Sequence, residues 1–104
     1  MQRIRRLPMF ALGMLLLVAG TTALRAADVA PTVLAMPCTG CHGPDGASPG
    51  AMPSIAKTSA ADMTAKLKAF RAGTVEATVM TRIAKGYTDV EIDSIGQYFA
   101  ALPH

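Results

Sequence analysis

The sequence predicts a small all-α domain. Apolar residues in the second half of the chain recur three and four positions apart, as they do on one face of an amphipathic helix. Ser59 and Thr88 are each followed three positions later by an acidic residue, a spacing that resembles a capping box at a helix start. No run of β-branched residues alternates with polar ones, so we expect no sheet.

Residues 1–26 are predicted to be a secretory signal peptide ahead of a domain at 27–104. Three arginines lie within the first six residues, and an apolar stretch over 9–19 is followed by small residues. The apolar stretch is short for a membrane span, which needs roughly 20 residues. We expect cleavage after Ala26 or Ala23 and a periplasmic protein. An uncleaved signal would instead anchor the domain to the membrane.

The net charge of +3 arises from this first segment. Residues 27–104 carry six Lys and Arg against seven Asp and Glu, which leaves −1. A balance without a basic patch argues against nucleic-acid binding. A domain of this size has a marginal core unless a cross-link or a cofactor adds to it. Two cysteines supply at most one disulfide.

The first part of the domain is predicted to be one short helix and a loop. The helix is expected over 30–36, with Pro31 in its first turn. Pro37 is expected to end it, because proline cannot donate a helical hydrogen bond and restricts the residue before it. Residues 43–53 are dense in Gly and Pro and are expected to form a loop.

Three further helices are predicted. The first is expected over 60–72, opened by Ser59 and ended by Gly73. The second is expected over 75–85, capped by Thr74 and closed by Gly86, and the third is opened by Thr88 and ends before Pro103. The first and third carry apolar stripes, formed by Met63, Leu67 and Phe70 and by Ile92, Ile95, Phe99 and Leu102.

The run Cys38-Thr39-Gly40-Cys41-His42 is the attachment signature of a c-type haem. On a helical turn, residues three and four apart share one face. Cys38, Cys41 and His42 can therefore converge on one flat macrocycle. The two thiols would form thioether links to it, and the imidazole would bind its iron.

Other sites use a Cys-x-x-Cys pair as well. A zinc site would need further ligands, and His104, at the end of the chain, is the only other histidine. A thioredoxin-like dithiol would lie within a longer βαβ pattern, which this sequence lacks. A plain disulfide is the third alternative, and export permits it.

The whole of 27–104 resembles a class I cytochrome c. The likeness rests on the haem motif, the Gly/Pro loop after it, a middle helix, and a last helix with Gly96, Tyr98 and Phe99. The resemblance implies a small helical wrap around one covalently attached haem c. In that family the terminal helices cross closely, and Gly96 is where a missing side chain would permit the approach.

The resemblance also implies a methionine on the second side of the iron. Met80 lies 38 residues beyond His42, before the last helix, and is the expected ligand. Met52 lies only ten residues beyond His42, in a run resembling the family's loop on the histidine side. There a proline carbonyl accepts a hydrogen bond from the ligand histidine, and Pro53 takes that place. Met63 falls on an apolar stripe and is expected to pack in the core.

Several runs resemble, more narrowly, the small cytochrome subunit of flavocytochrome c sulfide dehydrogenases. They are Pro53–Ala56, Thr78–Tyr87 and the pair Tyr98-Phe99, although Thr81 follows Met80 where many class I cytochromes have proline. This likeness implies an electron-transfer protein that does no bond chemistry itself. Its expected partners are an FAD flavoprotein that oxidises sulfide and a downstream electron acceptor. The alternatives are a free-standing periplasmic carrier and a haem sensor with a displaceable sixth ligand.

Overall fold

A computed structural model describes residues 29–103. The predicted signal peptide at 1–26 and His104 therefore lie outside the described residues. Within 29–103 the chain forms four α-helices and two short 3₁₀ turns, with no strand. No helix in this range is long and apolar enough to cross a membrane. The helices are α1 (Pro31–His42), α2 (Ala60–Ala72), α3 (Met80–Ile83) and α4 (Asp89–Ala101), and the turns are Pro44–Gly46 and Ala84–Gly86.

The core forms where α4 packs against both α1 and α2. Ile92, Ile95 and Phe99 of α4 are fully buried, as their predicted stripe requires. They meet Leu34 and Ala35 of α1 and Met63 and Leu67 of α2. Full burial of each large apolar side chain contributes about 1.5–3 kcal/mol. The all-α prediction is thus confirmed, and α4 is the element that both other long helices contact.

The helix starts predicted at Ser59 and Thr88 are confirmed. The Ser59 hydroxyl accepts a hydrogen bond from the Asp62 amide at 3.1 Å and caps α2. At α4 the capping box is complete: the Thr88 amide donates to the Glu91 carboxylate, and the Glu91 amide donates to the Thr88 hydroxyl. Gly73 ends α2 in the left-handed conformation, at φ 72°.

The prediction that Pro37 ends the first helix is wrong, because α1 continues through it to His42. Proline removes the hydrogen bond to the Val33 carbonyl, at a cost of about 3 kcal/mol in a helix interior. Val33 is 55% exposed and Pro37 is exposed, so water reaches this side of the helix. On the opposite side, Leu34 and Ala35 are buried and Cys38 packs against the core, which holds the helix together beyond the proline.

The predicted helix over 75–85 is wrong in its first half, because α3 begins only at Met80. Thr74 closes α2 instead of opening a new helix: its amide and its hydroxyl both donate to the Ala69 carbonyl, at 3.1 and 3.2 Å. Val75 and Val79 are β-branched and disfavour helix. The second half is helical, with α3 passing into the 3₁₀ turn that ends at Gly86.

Gly96 does permit a close approach, but the neighbour is α2 and not the N-terminal helix. A Cβ atom at Gly96 would lie 2.8 Å from the Thr64 hydroxyl oxygen and 2.9 Å from the Ala60 carbonyl oxygen. The expectation that this glycine serves the crossing of the terminal helices is therefore corrected. Its missing side chain lets α4 lie against the first turns of α2.

The Gly96→Ala variant is expected to be destabilised by about 1–3 kcal/mol, because α2 and α4 must move apart to admit the methyl group. The measurement is urea unfolding of the holoprotein. The matched control is Gly40→Ala in α1, where a Cβ would meet nothing within 4 Å. That control should be neutral or up to about 1 kcal/mol more stable, since alanine favours helix over glycine. Equal stabilities for the two variants would contradict the close approach.

Candidate functional site

A cavity of about 770 Å³ lies between the end of α1, the loop after it, α2 and the segment around α3. That volume is within the range of small-molecule sites in proteins. Its walls are mainly apolar and include a histidine and three methionines. The lining residues that matter below are Cys41, His42, Met52, Pro53, Met63, Leu67, Phe70, Val79, Met80 and Ile83.

The continuity of α1 places Cys38, Cys41 and His42 on adjoining turns of one helix. Cys41 and His42 line the cavity, and Cys38 packs against the hydrophobic core. Burial raises the pKa of the Cys38 thiol, although a backbone hydrogen bond partly opposes this. Within 29–103, no three His, Cys, Asp or Glu side chains cluster as a metal ion would require. The described residues thus offer no zinc site around the cysteines.

The His42 ring is oriented by a backbone carbonyl. Its Nδ1 lies 2.5 Å from the Pro53 oxygen, the contact that the family resemblance implies. Because a carbonyl only accepts, Nδ1 carries the hydrogen and donates it. The tautomer that results leaves the Nε2 lone pair free to bind a metal. Pro53 therefore fixes the orientation of the ring and the tautomer of its neutral form.

Gly46 holds the loop that carries Pro53, a role that the sequence analysis missed. Its carbonyl accepts hydrogen bonds from the amides of Ile55 and Ala56, at 2.9 and 3.1 Å, and from the Ser54 hydroxyl at 3.1 Å. Its own φ is +77°, and a Cβ there would lie 2.6 Å from Ile55 Cγ1. The Asp45-Gly46 dipeptide is a turn signal that could have indicated this position.

Met80 and Met52 both line the cavity, from different segments of the chain. Met80 begins α3, which packs against α2, and it also contacts the core. Met52 is 41% exposed and directly precedes Pro53, the residue bonded to His42. Two axial ligands must approach a haem iron from opposite faces. Met80 lies on α3, separate from α1 and from the loop that carries Pro53, so its position suits the face opposite His42 better than that of Met52 does. Met63 is buried in the core, as expected.

The donor set and the walls together fit a covalently held haem. Two thiols and an imidazole follow one another on α1, a thioether lies on another element, and apolar side chains line the cavity beside them. A c-type haem needs two thioether links and an axial histidine, and a thioether is a common second axial ligand. Phe70, Leu67 and Met63 present apolar surface suited to a macrocycle.

Comparison with known proteins gives a consistent result. Residues 27–100 match the family described as "Cytochrome c". The chain is 44% identical over 70 residues to the cytochrome subunit of sulfide dehydrogenase from Chlorobaculum tepidum, across 67% of this chain and 64% of that protein. It is 39% identical over 67 residues to the thiosulfate dehydrogenase electron acceptor from Stutzerimonas stutzeri, across 61% and 31%. The similarity thus spans less than two thirds of the length of each relative.

Proposed function

Because the chain belongs to the cytochrome c family, we propose that it carries single electrons in the periplasm with His42 and Met80 as the axial ligands of its haem. It is a class I cytochrome c with covalently attached haem c, similar to the cytochrome subunit of sulfide dehydrogenase from Chlorobaculum tepidum. It is an electron-transfer protein and not itself a catalyst. The observation that carries the proposed ligation is that His42 and Met80 line one apolar cavity from different elements.

When bound, haem supplies one-electron exchange through its iron, and the protein's own residues set the conditions for it. Pro53 accepts the Nδ1 hydrogen of His42, which orients the imidazole and raises its basicity toward a metal. The Met80 thioether is neutral and soft, and such a ligand favours the ferrous state and raises the potential. With His42 and Met80 both holding the iron, the haem would offer no free position to a substrate.

The proposed electron donor is an FAD flavoprotein that oxidises sulfide. The support is the 44% identity to a protein named as the cytochrome subunit of sulfide dehydrogenase, together with the runs around Pro53 and Met80 quoted above. In such a complex the flavoprotein takes two electrons from sulfide and passes them on singly, which suits a one-electron acceptor. A downstream acceptor then reoxidises this protein.

A second candidate is a free-standing soluble carrier that serves a dehydrogenase without staying bound to it. The relative from Stutzerimonas stutzeri, named as the electron acceptor of thiosulfate dehydrogenase, favours this alternative. Both candidates share the same haem site, and they differ in whether a flavoprotein remains attached.

Purification of the tagged protein from its native cells distinguishes the two. We expect it in the fluid released by osmotic shock, with flavin eluting at a fixed ratio to haem and with sulfide reducing the haem. The same tag on an unrelated periplasmic protein is the control and should recover no flavin. Haem that elutes without flavin, as a monomer at every concentration, would replace the subunit proposal with the free carrier. Retention with the membranes would contradict a cleaved signal.

A further inference from the structure

Arg71, in the last turn of α2, joins the two ends of one chain segment. Its Nη1 donates to the Tyr87 carbonyl at 3.0 Å, and its Nη2 donates to the Asp89 carboxylate. Tyr87 directly follows the 3₁₀ turn after α3, and Asp89 begins α4. The Arg71 side chain is 30% exposed and the Asp89 side chain 68%, so the bond to Tyr87 is partly shielded from water and the ion pair with Asp89 lies in solvent. Residues 72–86, called the Met80 segment below, form the loop that these bonds close.

The Met80 segment has little buried anchorage of its own. It leaves α2 at Gly73 and stays non-helical to Val79 before α3 and the 3₁₀ turn bring it back. Ala84 is its one fully buried residue, whereas Val79 and Ile83 are more than 40% exposed. A segment with few buried apolar contacts opens locally at a lower free energy than the core does. The contacts that join the two ends of the segment therefore contribute a large share of the free energy that keeps it closed.

We propose that Arg71 is a positioning residue that keeps the Met80 segment closed and thereby keeps Met80 on the haem iron. The inference rests on the proposed axial role of Met80. If the segment opens, Met80 leaves the iron and its place is free for another ligand. Opening of the segment would break the two hydrogen bonds that the Arg71 guanidinium donates to the Tyr87 carbonyl and the Asp89 carboxylate. Hydrogen bonds of charged groups are stronger than neutral ones.

If Arg71 only stabilised the fold, loss of a comparable ion pair elsewhere between α2 and α4 should raise the imidazole affinity equally. As a cation in the last turn of α2, Arg71 also interacts favourably with the helix dipole and ties α2 to α4. Lys68 does the second of these as well: its ammonium lies 3.1 Å from the Asp93 carboxylate, at 38% side-chain exposure. The Lys68 bridge joins the same two helices, but its ammonium donates to Asp93 and not to the Tyr87 carbonyl. Lys68→Gln is therefore the matched control for Arg71→Gln.

The test is a titration of the ferric holoprotein with imidazole at pH 7. Binding is measured from the change in the absorption spectrum when imidazole displaces Met80. Imidazole binds only molecules in which Met80 has left the iron, so its apparent affinity rises with the opened fraction. We expect Arg71→Gln to raise that affinity by about tenfold, the factor expected for one hydrogen bond of a charged group. Lys68→Gln should stay within about twofold of the unaltered protein.

Two further variants keep the proposal falsifiable if Arg71→Gln fails to retain haem. Asp89→Asn removes the charge from one acceptor and leaves Tyr87 in place, so it should raise the imidazole affinity by a smaller factor. Arg71→Lys keeps the positive charge, so its imidazole affinity should lie between those of the unaltered protein and Arg71→Gln. Equal imidazole affinities for Arg71→Gln and Lys68→Gln, or an Asp89→Asn variant indistinguishable from the unaltered protein, would overturn the role of Arg71. Failure of the axial assignment is separate, because it would appear as an unchanged methionine band in Met80→Ala.

Discussion

The Met80→Ala variant is expected to lose the far-red charge-transfer band of methionine-ligated ferric haem. Its midpoint potential should fall by on the order of 0.2 V, within the wide range over which axial ligands set haem potentials. The physical reason is that the Met80 thioether, as the proposed ligand, would stabilise ferrous iron, whereas water or a stronger donor in its place would favour ferric iron. The measurements are the ferric absorption spectrum and a spectroscopic redox titration.

Met52→Ala is the matched control, because Met52 also lines the cavity and, unlike Met63, is not buried in the core. It should keep both the band and the potential. A variant of Met80 with an unchanged spectrum, paired with loss of the band in Met52→Ala, would transfer the axial role to Met52. Carbon monoxide should bind ferrous Met80→Ala readily and the unaltered protein poorly. Ready binding to the unaltered protein would support a sensor with a displaceable ligand instead.

The sequence predicts the helices well where local signals and burial agree. In α2 and α4 the capping residues, the apolar stripes and the terminal glycine or proline all point the same way, and the structure has both helices. It predicts poorly where the two disagree. Pro37 is a local stop signal, yet the buried side of α1 outweighs it. Thr74 is a local start signal, yet its hydrogen bonds go back to Ala69.

The candidate site divides in the same way. Cys38, Cys41 and His42 lie within five consecutive residues, so a short sequence motif is enough to identify them. The contact of His42 with Pro53 spans 11 residues and was expected only from the family resemblance. Gly46 and Arg71 act through bonds to residues 8 to 18 positions away, formed only once the loops have folded. No local periodicity encodes such pairs, and they are visible only in three dimensions.

The distribution of burial links the stability of this domain to its haem. The apolar core of residues 29–103 comprises only eight buried side chains, two of them alanines. Met52, Val79 and Ile83 line the cavity and are more than 40% exposed. A covalently held macrocycle in that cavity would cover them and add apolar contact to Leu67 and Phe70. Small domains commonly need such a supplement, because their own cores stabilise them only marginally.

The double variant Cys38→Ala with Cys41→Ala is therefore expected to lose both the covalent haem and cooperative folding. Neither thioether can form, so no haem should remain with the chain on a denaturing gel. The chain should also lose near-UV circular dichroism and a sigmoidal urea transition, because α1, the loop at 52–58 and α3 then line a cavity with nothing to pack against.

The single variants separate attachment from folding. Cys38→Ala retains Cys41 and one thioether, so it should keep haem on a denaturing gel and should fold at lower stability. Because His42 survives in the double variant, added haem should partly restore the helical signal without a covalent link. A double variant that unfolds cooperatively in the absence of haem would show that the eight-residue core suffices alone. In that case the cavity would be a consequence of the fold, and haem would be needed for electron transfer and not for stability.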